Sequence, residues 1–199
     1  MRLSSLSLAG GLAAALLLVP ATSAQAAVSA KDAPSQADIV KVFPELADAE
    51  FATDKTKQVG VPGKTCGVPG MEKVKSASST AGASAAGFPV VAAGVAEIKS
   101  AAKAKGYLKS YKAYVKACPT FTEPNSGATV TVSAAKAPKL GQESLAMVQE
   151  TSVLGTIAYS STVVIRDGNR MATVLVIDDA PVSASAINKL AKVAAKKMK

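Results

Sequence analysis

The chain contains no histidine and no tryptophan. Without histidine there is no Ser-His-Asp or Cys-His relay and no ordinary zinc site, so the common hydrolase and metalloenzyme designs are excluded by composition. Aromatic residues make up only 4% of the chain, and alanine inflates its 49% hydrophobic share. Small side chains each bury little apolar area, which implies a core of modest stability. There are two cysteines, Cys66 and Cys118, and they lack the C-x-x-C spacing of a redox catalyst.

Long apolar runs are equally scarce. The charge-free run Leu6 to Val19 follows Arg2, ends at Pro20, and leads into Ala24-Gln25-Ala26. A basic start, a short apolar stretch and small residues at the two inspected positions read as a secretory signal peptide, residues 1–26, with cleavage after Ala26. A buried N-terminal helix is the alternative. The run is too short for a permanent anchor, and no other stretch is long and apolar enough to span a bilayer. No cysteine sits at the cleavage site to take a lipid. The expectation is a mature chain, 27–199, secreted and extracellular or loosely associated with the cell wall.

The mature 173 residues suit one domain with a sizeable core. Loss of Arg2 lowers the net charge from +9 to +8. That balance favours anionic envelope partners, or it serves solubility alone. An exported chain with three arginines, one of them in the leader, does not suit nucleic acid. In an oxidising compartment, an isolated cysteine pair most often bonds, with two free thiols as the competing reading. The chain is expected to act as a monomer without a cofactor.

Several local patterns predict elements. Ser35 with Asp38 forms a capping box for a short helix that Pro44 limits. Between Phe51 and Gly70 the chain is expected to turn often, and Gly60-Val61-Pro62-Gly63 recurs as Gly67-Val68-Pro69-Gly70 around Cys66. The Ser, Ala, Thr and Gly run of residues 76–87 lacks periodicity and reads as a flexible loop. Phe88 to Val95 suits a strand. Ser100 to Ala117 suits a helix whose core face carries Ala101, Ala104, Leu108, Tyr111, Val115 and Cys118. Four more strands are expected at Thr129–Ser133, Ser144–Thr151, Thr156–Arg166 and Arg170–Ile177, with Asp167-Gly168-Asn169 as a hairpin turn. A lysine-rich amphipathic helix from about Ser183 closes the chain. The fold class is therefore α+β: an antiparallel sheet of about five strands with helices packed on it.

Residues 88 to 199 resemble the PknH-like extracellular sensor domain family of actinobacterial kinases and its secreted and lipoprotein relatives. The resemblance lies in Ile98-Lys99-Ser100-Ala101-Ala102 after a strand and in an aromatic-bearing helix ending at Cys118. It continues through Leu140-Gly141-Gln142-Glu143-Ser144 and Val164-Ile165-Arg166-Asp167-Gly168-Asn169-Arg170. Where the family commonly has a tryptophan, a second disulfide and an acidic residue after the mid-sheet glycine, this chain has no tryptophan, one cysteine pair and Gln142. The resemblance implies a non-catalytic extracellular domain with a cleft between sheet and helix.

Catalytic motifs are thin. Gly63-Lys64-Thr65 has Gln58 where a phosphate loop needs its first glycine. Asp178-Asp179 reads as a turn pair. Ser100-Ala101-Ala102-Lys103 fits a Ser-x-x-Lys spacing formally, but Ser100 is better explained as a helix cap. Candidate ligand contacts are the stripe Lys105, Lys109, Lys112 and Lys116, the flanking Tyr107 and Tyr114, and the turn-flanking Arg166 and Arg170. Lysines grip phosphates or carboxylates, tyrosines stack on sugars, and the competing reading is a solvated face with snorkelling stems. The leading expectation is a secreted, non-enzymatic ligand-binding or sensor-like domain of the actinobacterial envelope that takes a small amphiphilic or anionic ligand. The alternative is a basic structural or interaction protein held to acidic wall polymers.

Overall fold

The computed structural model describes residues 28–199, so the expected leader lies outside the described residues. The elements run α1 (Gln36–Val42), β1 (Glu50–Pro62), β2 (Pro69–Ala83), β3 (Val90–Glu97), α2 (Ala101–Ala117), β4 (Thr120–Thr122), β5 (Thr129–Ala135), β6 (Glu143–Val153), β7 (Thr156–Asp167), β8 (Arg170–Asp178) and α3 (Ala184–Lys197). All eight strands form one antiparallel sheet in the order β1-β2-β3-β8-β7-β6-β5-β4. The α+β class holds; among the described residues the strand count is eight, not about five.

Helices on both faces explain why the central strands are apolar throughout. On one face, α1 and α3 cover Val91, Ala93 and Val95 of β3, Val163 and Ile165 of β7, and Val174 and Val176 of β8. On the other, α2 sets Ala104, Leu108 and Tyr111 over Ala96, Met171, Val164 and Met147. A strand buried on both sides reads as a continuous apolar run, as Val163-Val164-Ile165 does. The helix starts follow their caps. Ser35 accepts the Asp38 amide while the Asp38 carboxylate accepts the Ser35 amide, Ser100 accepts the Lys103 amide, and Ser183 accepts that of Ala186. Among the described residues, no helix is long and apolar enough to cross a membrane.

Two sequence expectations are corrected. Residues 76–83 are not a flexible loop but the end of β2, where Ser76, Ser78, Ser79 and Thr80 are all buried. Small side chains suit an interior strand hydrogen-bonded on both sides, even though they carry little intrinsic strand preference. The stretch from Phe51 is not a series of turns but the long strand β1, and the repeated Gly-Val-Pro-Gly forms the two sides of a hairpin end, with Val61 opposite Gly70 and Pro62 opposite Pro69.

The β1–β2 ladder shifts register between Thr56 and Gln58, as a bulge does. Beyond that break the hairpin crosses to the α2 face. Its tip carries Cys66, which is bonded to Cys118 at the end of α2 with Cα atoms 5.6 Å apart. A side chain at Gly67 would stand 2.9 Å from the Phe121 ring of β4, so the tip lies against the opposite edge strand. The two ends of the strand order are thus fastened together over one face.

Candidate functional site

That fastening creates a cleft. One wall is Val59, Gly60 and Val61 of β1; the other is Tyr107 and Tyr111 of α2. Gly94 and Ala96 of β3, with Met171 and Thr173 of β8, form the floor. The empty space, mouth included, is about 350 Å³. Its lining is apolar except for three hydroxyls, from Tyr107, Tyr111 and Thr173. The walls come from elements distant in sequence, held by the disulfide and by two hydrogen bonds. The Tyr111 hydroxyl donates to the Gly60 carbonyl at 3.3 Å, and the Tyr107 hydroxyl donates to a Glu72 carboxylate oxygen at 3.2 Å. Burial pushes the Tyr111 phenol up to about 12. Burial also raises that of Tyr107, and the neighbouring Glu72 charge raises it further. Both groups therefore stay protonated and act as donors over the physiological range.

The structure separates the two tyrosines proposed as a stacking pair. Tyr107 is half-buried at the cleft, whereas Tyr114 is 4% exposed and packs edge-on against Phe121, ring centroids 6.3 Å apart. Tyr114 belongs to the small core around the disulfide, with Val130 and Val132 of β5 beneath it. Its phenol, pushed up to about 12 by burial, is enclosed and offers no surface to a sugar. Tyr111, assigned by its helical position to the core, is buried there and is also the second tyrosine of the cleft.

The lysines stand outside it. Lys105, Lys109, Lys112 and Lys116 are exposed on the outer side of α2, and none lines the cleft. Lys112 reaches Glu143 at 3.3 Å. Arg166 and Arg170 do not converge on a common anion, because they point to opposite faces of the sheet. The reason is parity: Arg166 pairs with Met171 on the α2 face, and Arg170 pairs with Asp167 one position on. Arg166 is buried and holds Glu143 at 2.8 Å and the Gly168 carbonyl at 3.2 Å. Hydrogen bonding to Arg166 holds the Glu143 carboxyl below its ordinary range, with Lys112 assisting. Arg170 donates to the Met198 carbonyl at 2.9 Å and pairs with Asp32 at 3.5 Å, joining α3 to the segment before α1.

The two motifs behind the sequence resemblance meet in space. Gly141 has a φ of +59°, and a Cβ there would lie 2.5 Å from the Arg166 carbonyl oxygen. The Gln142 amide donates to that same oxygen, and the Gln142 side-chain oxygen accepts the Gly168 amide. Glu143 completes the clasp through Arg166. This is a structural junction between the β6 start and the β7–β8 turn. Asn169 extends it, donating to the Ile98 carbonyl at 3.2 Å just before α2.

Among the described residues, no nucleophile and base meet in the cleft. Ser100, the formal Ser-x-x-Lys residue, spends its oxygen on the cap of α2. Asp178 and Asp179 sit where β8 ends; burial raises the Asp178 carboxyl, and the adjacent Asp179 raises it further. Among the described residues, no group of three metal-ligating side chains comes together.

The molecule is thus an antiparallel α+β domain with a helix-roofed cleft, a fold seen in an extracellular domain of known structure. No protein-family model matches the chain, and no curated protein matches it. Among solved structures it shares the fold of the extracellular domain of PknH from Mycobacterium tuberculosis, with a TM-score of 0.52 and 10% identity over 82% of this chain and 89% of that one. A putative uncharacterized protein from Mycobacterium smegmatis aligns with a TM-score of 0.43 and 11% identity, over 81% of this chain and 96% of that one. The PknH-like character read from the sequence is therefore present in the fold.

Proposed function

We propose that this chain is an exported, non-enzymatic, sensor-like domain that binds a small amphiphile in the cleft beneath α2. The observation that carries the reading is the cleft itself: an apolar slot walled by two tyrosines and bounded by a hairpin arm that is covalently tied in place. Clefts that combine apolar walls with a few fixed polar groups are the usual form of small-molecule sites. Here the apolar lining favours a hydrocarbon or ring portion of the ligand. The Tyr107 and Tyr111 hydroxyls, whose single protons go to Glu72 and to the Gly60 carbonyl, would orient a polar end by accepting a hydrogen bond from it. An anionic head would meet Glu72 at the mouth, so the reading moves from an anionic ligand to an uncharged amphiphile. The shared fold with an extracellular domain supports an envelope location, and the intramolecular disulfide suits an oxidising compartment.

The test is saturable uptake of the neutral solvatochromic dye Nile red by the purified mature protein, together with native mass spectrometry for co-purifying ligands. Thr173→Phe fills the floor of the cleft. The proposal expects one dye per chain and at least tenfold weaker uptake by the variant at an unchanged melting temperature. Equal uptake by a folded Thr173→Phe protein would overturn it.

A further inference from the structure

The outer side of α2 has a separate character from the side that roofs the cleft. The helix carries five lysines, at 103, 105, 109, 112 and 116, and no acidic residue in its seventeen positions. Lys105 and Lys109, like Lys112 and Lys116, are spaced four apart, a placement that makes like charges repel on a helix surface. Nothing within the helix relieves that repulsion. Among the described residues, only Lys112 of the five has an ion-pair partner, Glu143 from another element. The exposed positions beside the stripe are Ala102, Gly106, Ser110, Ala113 and Ala117, so no bulky side chain stands above the ammonium groups. The exposed large hydrophobic residues, Val68, Met71, Val148, Leu154 and Ile157, all lie elsewhere.

We infer that this face is a docking surface for an extended polyanion, a linear polymer with phosphodiester or carboxylate groups along its length. The stripe from Lys105 to Lys116 runs about 16 Å at the helical rise, long enough to meet several successive anionic groups. Charge complementarity selects the partner. A protein partner would want an aromatic or aliphatic anchor, and a bilayer-inserting face would want apolar side chains among the lysines. This face has neither. Lysine, a compact ammonium on a flexible stem, suits a polymer with repeating charge and loose register, where arginine would impose a fixed fork. The interaction is thus electrostatic and steeply salt-dependent, through release of the polymer's counterions. One helix would hold the domain on an anionic matrix with its outer side while its inner side closes the cleft.

The test compares two triple variants with the same change in net charge. Lys105→Gln, Lys109→Gln and Lys116→Gln together strip the α2 face. Lys189→Gln, Lys192→Gln and Lys196→Gln strip α3, which lies on the opposite side of the sheet. Binding to linear inorganic polyphosphate is measured across a salt series. The wild-type and α3 proteins should bind alike. The α2 triple should bind at least tenfold more weakly, with its slope of log affinity against log salt smaller by about 2, at roughly 0.7 to 0.9 per lost phosphate contact. Equal loss in both triples would show that net charge alone acts and would overturn the assignment. So would wild-type protein that ignores polyphosphate at about 50 mM salt yet sediments with vesicles containing anionic phospholipid. Nile red uptake should be unchanged in the α2 triple, so a failure of this surface and a failure of the cleft reading remain distinguishable.

Discussion

Cys66 and Cys118 lie 52 residues apart in sequence, and their bond joins the tip of the hairpin at one edge of the sheet to the residue from which the chain enters the strand at the other. The bond fixes both walls of the cleft relative to each other. On the chain-entropy model, closing a loop of this size stabilises the fold by about 4 kcal/mol, with measured values commonly nearer 2 to 4. Replacing both cysteines by serine should therefore lower the unfolding free energy by about 2 to 4 kcal/mol in urea titrations. Dye uptake at the cleft should fall more than stability alone explains, since a wall loses its tether.

Gly141 and Gly168 share a φ of +59° but differ in surroundings. A methyl group at Gly168 meets nothing within 4 Å, whereas at Gly141 it runs into the Arg166 carbonyl. Gly168→Ala should cost about 1 to 2 kcal/mol from backbone strain alone. Gly141→Ala should cost at least twice that, because the β7 backbone must also move. Comparable losses in the two variants would contradict the tight approach at the clasp.

The α1–α3 contact predicts an acid-stability profile. Burial raises the Asp38 carboxyl, but hydrogen bonds from Lys197 at 2.7 Å and from Ser35 outweigh it and bring the group to about 2. A carboxyl lower in the folded than in the unfolded state adds stability above its unfolded value, near 4, and that stability is lost as pH falls toward 2. Lys197→Ala should thus shift the acid-unfolding midpoint upward and reduce stability by roughly 0.5 to 1 kcal/mol at neutral pH. At pH 2 the two proteins should converge.

Leu154, at the β6–β7 turn, has a φ of 50° and is 99% exposed. The two-residue turn Leu154-Gly155 prefers asparagine at its first position, because leucine gains nothing from the left-handed backbone and buries no surface. Leu154→Asn should raise stability by roughly 0.5 to 1 kcal/mol, read as a higher melting temperature.

Much of the second half of the fold was legible because its signals are local. Ser100 and Ser183 mark helix starts, Asp167-Gly168-Asn169 forces a hairpin, and the alternation in Thr129 to Ser133 needs no partner to be recognised. The β1–β2 hairpin was not legible. Ser76 to Ala83 becomes a strand only because β1 and β3 hydrogen-bond it from both sides, a tertiary decision that overrides weak intrinsic preference. The cleft inherited that blindness, since Val59 to Val61 lay in a stretch expected to turn. Helical spacing did place Tyr107 and Tyr111, yet spacing alone could not say that Tyr114 would be enclosed by Phe121. The one available hint was the doubled Gly-Val-Pro-Gly, whose mirrored placement about Cys66 marks the two legs of a hairpin.

The Arg170 guanidinium touches both Asp32 and Met198, so the first and last stretches of the described chain converge on the sheet face opposite α2. Anything appended after Lys199 would emerge on that rear side. A sensor chip or bead coupled there would hold the molecule by its back, leaving the roofed slot and its cationic outer helix turned toward the solution.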